Sequence, residues 1–137
     1  MKTLKILLLL IIFFNPVYAN ESFKLKKITS LSNPWSLSFI NDDETIISEK
    51  EGEIFLVNIK DGSKTNIKHN LGYKVDGQGG LLEILKHQDH IYICYTEDRG
   101  SGKTSTSIAK AKFSKTNLNF KNVFQANPPI NSGCHFG

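Results

Sequence analysis

Two short stretches place polar side chains where they could act on a ligand. In "DGQGGLLEI" (Asp76 to Ile84), Gly77, Gly79 and Gly80 surround Gln78 directly ahead of an apolar run. A loop that only had to reverse the chain would need fewer glycines, so the amide of Gln78 is a candidate binding group. In "SGCHFG" (Ser132 to Gly137), His135 sits between glycines after the Pro128-Pro129 loop, where a new inner strand would start. Histidine is the commonest general base, because its imidazole changes protonation near neutral pH. A lone histidine is nonetheless more often structural than catalytic.

Other stretches suggest chemistry that their context excludes. "RGSGKT" (Arg99 to Thr104) ends like a phosphate-binding loop, but the position that motif reserves for its first glycine holds Glu97. The motif must also open a helix, whereas the residues after Thr104 alternate like a strand. It reads as a flexible hairpin loop. "HQDH" (His87 to His90), with His69 elsewhere, matches no standard zinc spacing and falls between two strands, where polar loops belong. The two cysteines, Cys94 and Cys134, could pair in an oxidising compartment, yet two thiols alone fix no geometry. Cys94 lies inside an apolar strand and reads as a small buried hydrophobe.

The elements that must position these groups are strands. "WSLSFI" alternates, with Trp35, Leu37 and Phe39 on one face. Asn41-Asp42-Asp43 is a turn cluster, "TIISE" (Thr45 to Glu49) is the next strand, and Gly52 leads into "EIFLVNI" (Glu53 to Ile59). Asp61-Gly62 then turns into a polar strand near Lys64 to Lys68. The pattern repeats as "GLLEIL" (Gly80 to Leu85), "HIYICYT" (His90 to Thr96), "TSTSIAKAKF" (Thr104 to Phe113) and "NFKNVFQA" (Asn119 to Ala126). The two sets start about 45 residues apart, the period of propeller blades. Early strands in each set are apolar on both faces, as expected of sheets sandwiched between neighbours. A free-standing sandwich would more often show one polar face on every strand. The expected fold class is all-β, a β-propeller of which two blades are present. A ring takes about four to eight blades, so the chain is expected to be the N-terminal portion of a longer protein.

Residues 1–19 read as a signal peptide: Lys2 and Lys5 precede the apolar run Ile6 to Phe14, and Val17-Tyr18-Ala19 offers a cleavage site before Asn20. The apolar run falls short of the ~20 residues that span a bilayer. The remainder, 20–137, is one domain's length at most. The formal charge of the whole chain is +4; losing Lys2 and Lys5, with no acidic residue in that segment, leaves +2. The other lysines are scattered among acids, and no basic stripe interleaves with aromatics, so nucleic-acid binding has no support. A periplasmic or secreted protein with no membrane span after signal removal is expected.

In order along the chain, "NPWSLSFI", "SEKEGEIFLV", "GQGGLLEI", "IYICYTE" and "FQANPPINSGCHFG" resemble the N-terminal part of the glucose/sorbosone dehydrogenase family. That family comprises soluble, secreted, PQQ-dependent aldose sugar dehydrogenases built as six-bladed propellers. Its motifs read close to N-P-W-S/G-L-A-F-L, T-E-R-x-G-R-I/L, G-Q-G-G-L-L-D, V-Y-L-S-Y-S/T-E and a loop ending H-F-G. The resemblance implies oxidation of an aldose sugar at C1 to the lactone, by hydride transfer to PQQ with calcium bound, and delivery to an external electron acceptor. It makes His135 the general base for the anomeric hydroxyl and Gln78 the amide that reaches the pocket beside the reacting carbon. The glycines would then let the backbone pass tightly while that amide projects. The groups holding PQQ and calcium are expected in later blades, so this chain alone is expected to be inactive. Glu83 stands where the family has aspartate, "HQDH" resembles a shortened H-P-D-F region, and Cys134 takes the place of glycine, asparagine or aspartate. The alternative is a non-catalytic secreted propeller that binds glycans or a protein partner. Joint presence of Gln78 and His135 favours the enzyme.

Overall fold

The structure, a computed structural model, describes residues 23–134 and 136. The expected signal peptide (residues 1–19) and His135 lie outside the described residues. Ten strands follow one another: β1 (Pro34–Phe39), β2 (Glu44–Glu49), β3 (Ile54–Asn58), β4 (Lys64–Asn66), β5 (Lys68–His69), β6 (Leu81–His87), β7 (His90–Asp98), β8 (Thr104–Lys112), β9 (Asn117–Leu118) and β10 (Lys121–Gln125). They form two antiparallel four-stranded meanders, β1-β2-β3-β4 and β6-β7-β8-β10, plus a two-stranded parallel ladder of β5 with β9.

Local chemistry sets the turns. Between β1 and β2 the Asn41 side-chain oxygen accepts from the backbone N–H groups of Asp43 and Glu44, at 2.8 and 3.0 Å, so the side chain itself closes the reversal. The β6–β7 connection is a tight hairpin over Gln88-Asp89 with His87 paired to His90, which makes "HQDH" a surface turn. His69 is committed elsewhere. Its Nδ1 accepts from the Leu71 N–H at 3.2 Å, so its Nε2 carries the proton and donates to the Gly52 carbonyl at 2.7 Å. The β7–β8 connection is the hairpin expected of "RGSGKT": Arg99 N–H donates to the Lys103 carbonyl, and a strand comes next.

The two meanders stack on each other. Ile46, Ile54 and Leu56 of the first sheet join Ile84, Ile91, Ile93, Tyr95, Ala109 and Ala111 of the second in one buried cluster. Each fully buried isoleucine there contributes about 1.5–3 kcal/mol relative to an exposed one. The β5–β9 ladder, invisible in the sequence, ties the two sheets together: Ile67 beside it and Leu118 within it are buried, and the Asn70 amide brackets Phe120 by accepting from its N–H (2.7 Å) and donating to its carbonyl (3.1 Å). At the inner edge, the Ser36 and Ser38 hydroxyls of β1 accept from the backbone N–H groups of Ile84 and Lys86 in β6.

The early strands are apolar on both faces in composition, and β2 is buried along nearly its whole length. Trp35, Leu37 and Phe39 share a face, as the alternation predicts, and that face is 50–63% exposed. On the second sheet Leu85, Ile108, Val123 and Phe124 are also exposed. A propeller blade packs between two neighbours. Here each sheet uses one face against the other sheet, which leaves the opposite apolar face uncovered among the described residues. One expectation needs correction: Cys94, read as a small buried hydrophobe, points to that uncovered side and is only half-buried, and neither cysteine is bridged.

Candidate active site

The loop between β5 and β6 carries Gln78, and three separate segments hold it. Its N–H donates to the carbonyl of Gly133 at 2.8 Å, so the Gln78 loop and the segment that runs into His135 are directly joined. Gly80 N–H donates to Thr96 Oγ1 (3.2 Å) and the Gly80 carbonyl accepts from Thr96 N–H (2.9 Å), which fastens the loop to β7. From the first sheet, the Lys50 carbonyl accepts from Leu81 N–H at 3.0 Å and the Lys50 ammonium donates to the Gly77 carbonyl at 2.6 Å.

This crowding explains the glycines. Gly77 has φ +53°, and a Cβ on it would lie 2.2 Å from the Gly133 carbonyl oxygen. Gly80 has φ +152°, and a Cβ there would lie 2.1 Å from the Lys50 carbonyl oxygen. Both positions demand a backbone conformation that side chains disfavour and an approach closer than any Cβ permits.

The loop borders a cavity of about 440 Å³ lined by Trp35, Gln78, Leu82, Glu83, Cys94 and Phe136. Consecutive residues Leu82 and Glu83 both reach it because the β6–β7 register shifts between Leu81 and Ile84. An irregularity of that kind re-aims side chains that strict alternation would separate. The walls are mostly apolar, and the Gln78 amide, the Glu83 carboxylate, the Trp35 indole N–H and, weakly, the Cys94 thiol are the hydrogen-bonding groups among the lining side chains. Burial and the nearby Glu83 charge push the Cys94 thiol up from its ordinary value, which keeps it protonated at neutral pH.

Gln78 lines this cavity, on a loop bonded to the Gly133 segment. His135 lies outside the described residues, but its neighbours Cys134 and Phe136 are described. Phe136 is buried and lines the same cavity as Gln78. Sequence reading missed Lys50 and Thr96 as holders of the loop, and Trp35, Glu83 and Cys94 as cavity walls. The available signal for Lys50 was its place directly before the Glu51-Gly52 hairpin turn. Among the described residues no group of three or more His, Cys, Asp or Glu side chains could hold a metal ion.

Two stacked meanders with a cavity beside their inner strands define part of a β-propeller. Residues 31–137 match the Glucose / Sorbosone dehydrogenase family, and the chain belongs to it. It is 28% identical over 116 residues to aldose sugar dehydrogenase YliI of Escherichia coli (strain K12), covering 78% of this chain and 31% of that protein. A crystal structure of glucose dehydrogenase superposes with a TM-score of 0.72 at 30% identity, over 78% of this chain and 34% of that one. The PQQ-bound aldose sugar dehydrogenase of Streptomyces coelicolor superposes with a TM-score of 0.60 at 22% identity, over 76% of this chain and 34% of that one, and shares the fold. The chain spans about a third of the length of these relatives.

Proposed function

We propose that the whole protein is an exported, periplasmic or secreted, aldose sugar dehydrogenase that oxidises the sugar at C1 to the lactone. His135 takes the proton from the anomeric hydroxyl, Gln78 holds the sugar beside it, and an external acceptor receives the electrons. The supporting observation is the bond from Gln78 N–H to the Gly133 carbonyl, two residues ahead of His135, together with the cavity that Gln78 shares with Phe136. An amide both donates and accepts, which suits a sugar hydroxyl.

PQQ, with calcium, would supply the hydride acceptor. PQQ carries three carboxylates, which call for cations. The cavity lining holds none and contributes a carboxylate of its own, Glu83, so these residues do not form a cradle for the cofactor. The share of the reaction assigned to this chain is on the sugar side: binding, orientation and proton removal.

The test is the complete protein, loaded with PQQ and calcium, and the reduction of a dye followed as aldoses are added. Sugar-dependent reduction is expected, and its absence with cofactor shown to be bound refutes the reading. His135→Asn should abolish turnover while PQQ affinity stays near that of the parent. Turnover close to the parent's would remove His135 from its role.

A further inference from the structure

We propose that Lys50, at the tip of the β2–β3 hairpin on the first sheet, is a positioning residue that sets the direction of the Gln78 side chain. The inference rests on the proposed sugar oxidation and assigns a residue to it. Its ground is the peptide unit between Gly77 and Gln78, which is gripped at both ends. The carbonyl of that unit accepts from the Lys50 ammonium at 2.6 Å, and its N–H donates to the Gly133 carbonyl at 2.8 Å. A peptide unit is planar, so fixing its oxygen and its N–H fixes the whole plane. The plane in turn sets ψ of Gly77 and φ of Gln78, and with them the bond from Cα to Cβ of Gln78.

Gly77 is the residue least able to hold that plane unaided, since glycine has the widest backbone freedom. The Lys50 contact is charge-assisted and therefore stronger than a neutral hydrogen bond. Lys50 is itself held: its N–H donates to the Asn33 carbonyl at 3.1 Å, its carbonyl accepts from Leu81 N–H at 3.0 Å, and the residue is half-buried, with the ammonium–Gly77 contact at the surface. Among the described residues its ammonium forms no ion pair, and its polar contact is the Gly77 carbonyl. The first sheet thereby reaches across to orient a group carried by the second.

The experiment compares Lys50→Met, Lys50→Arg and the parent as complete proteins loaded with PQQ and calcium. Three quantities are read: kcat and KM for an aldose, PQQ affinity, and amide hydrogen exchange at Gln78. Lys50→Met should lower kcat/KM by about tenfold, the scale of losing one charged hydrogen bond or slightly misplacing a reacting group. Exchange at the Gln78 amide should rise by about tenfold as the plane loosens, with PQQ affinity unchanged. Lys50→Arg keeps a charged donor and should recover most of both effects. Parent-like kcat/KM or parent-like exchange in Lys50→Met overturns the proposal, as does an arginine variant no better than methionine. If Lys50→Met does not fold, Lys50→Gln, with its shorter neutral side chain, takes its place under the same criteria. A parent that oxidises no aldose refutes the proposed function instead, and exchange at Gln78 then decides alone whether Lys50 holds the loop.

Discussion

Two glycine-rich loops of similar composition do different work. Around Gln78, the glycines lie where chain segments cross, with the Gly133 and Lys50 carbonyls closer than a Cβ could tolerate. In the β7–β8 hairpin, Gly100 and Gly102 also have positive φ, +75° and +77°, but a Cβ at either would meet nothing within 4 Å. The second loop needs glycine only for its backbone angles, and even Ser101 between them adopts φ +52°. The first needs glycine for angle and space together. What sets the Gln78 loop apart is the crossing of segments, which glycine content alone does not reveal.

That contrast can be broken by substitution. Gly77→Ala or Gly80→Ala should cost about 3 kcal/mol or more, because backbone must move to admit the methyl group at a strained φ. Sugar oxidation by the complete protein should be lost with it. Urea unfolding gives the first quantity, and a parent-like midpoint would show that the crossing is looser than described. Gln78→Ala should lower kcat/KM by about a hundredfold, the scale for a misplaced or missing orienting group. An unchanged kcat/KM would separate the loop's architecture from catalysis.

Thr96→Val should cost about 1–3 kcal/mol, since the Gly80 N–H loses its buried acceptor and the substitution preserves side-chain volume. Gly100→Ala should cost only about 1 kcal/mol, the left-handed penalty alone, with activity retained. A cost equal to that of Gly77→Ala would erase the distinction between the loops. The smallest effect concerns Cys94 in the cavity wall. Its raised pKa leaves little thiolate at neutral pH, so alkylation by iodoacetamide should be slow there and accelerate as pH rises past the ordinary thiol range. Fast alkylation at neutral pH would place Cys94 in a more open and polar setting.

The strands were legible because alternation is a local signal. Trp35, Leu37 and Phe39 do share a face, and Asn41 does close its turn. The β5–β9 ladder was not legible, since paired strands of two residues leave no period to read and are defined only by their partner. The burial of Cys94 was misread for a related reason: composition says which faces could be covered, and only packing says which are. Gln78 stood out through its glycines. Lys50 did not, because its contact with Gly77 spans 27 residues and depends on how one sheet meets the other. The cavity walls at Leu82 and Glu83 follow from a register shift that no pattern of single residues encodes.

The hydroxyls of Ser36 and Ser38 have a consequence for solubility. β6 borders its sheet, and a bordering strand with bare amides is a template onto which foreign chains can add. By accepting from Ile84 and Lys86, the two serines occupy those amides without lengthening the sheet. Small polar side chains thus serve as blockers against aggregation along the edge beside the cavity.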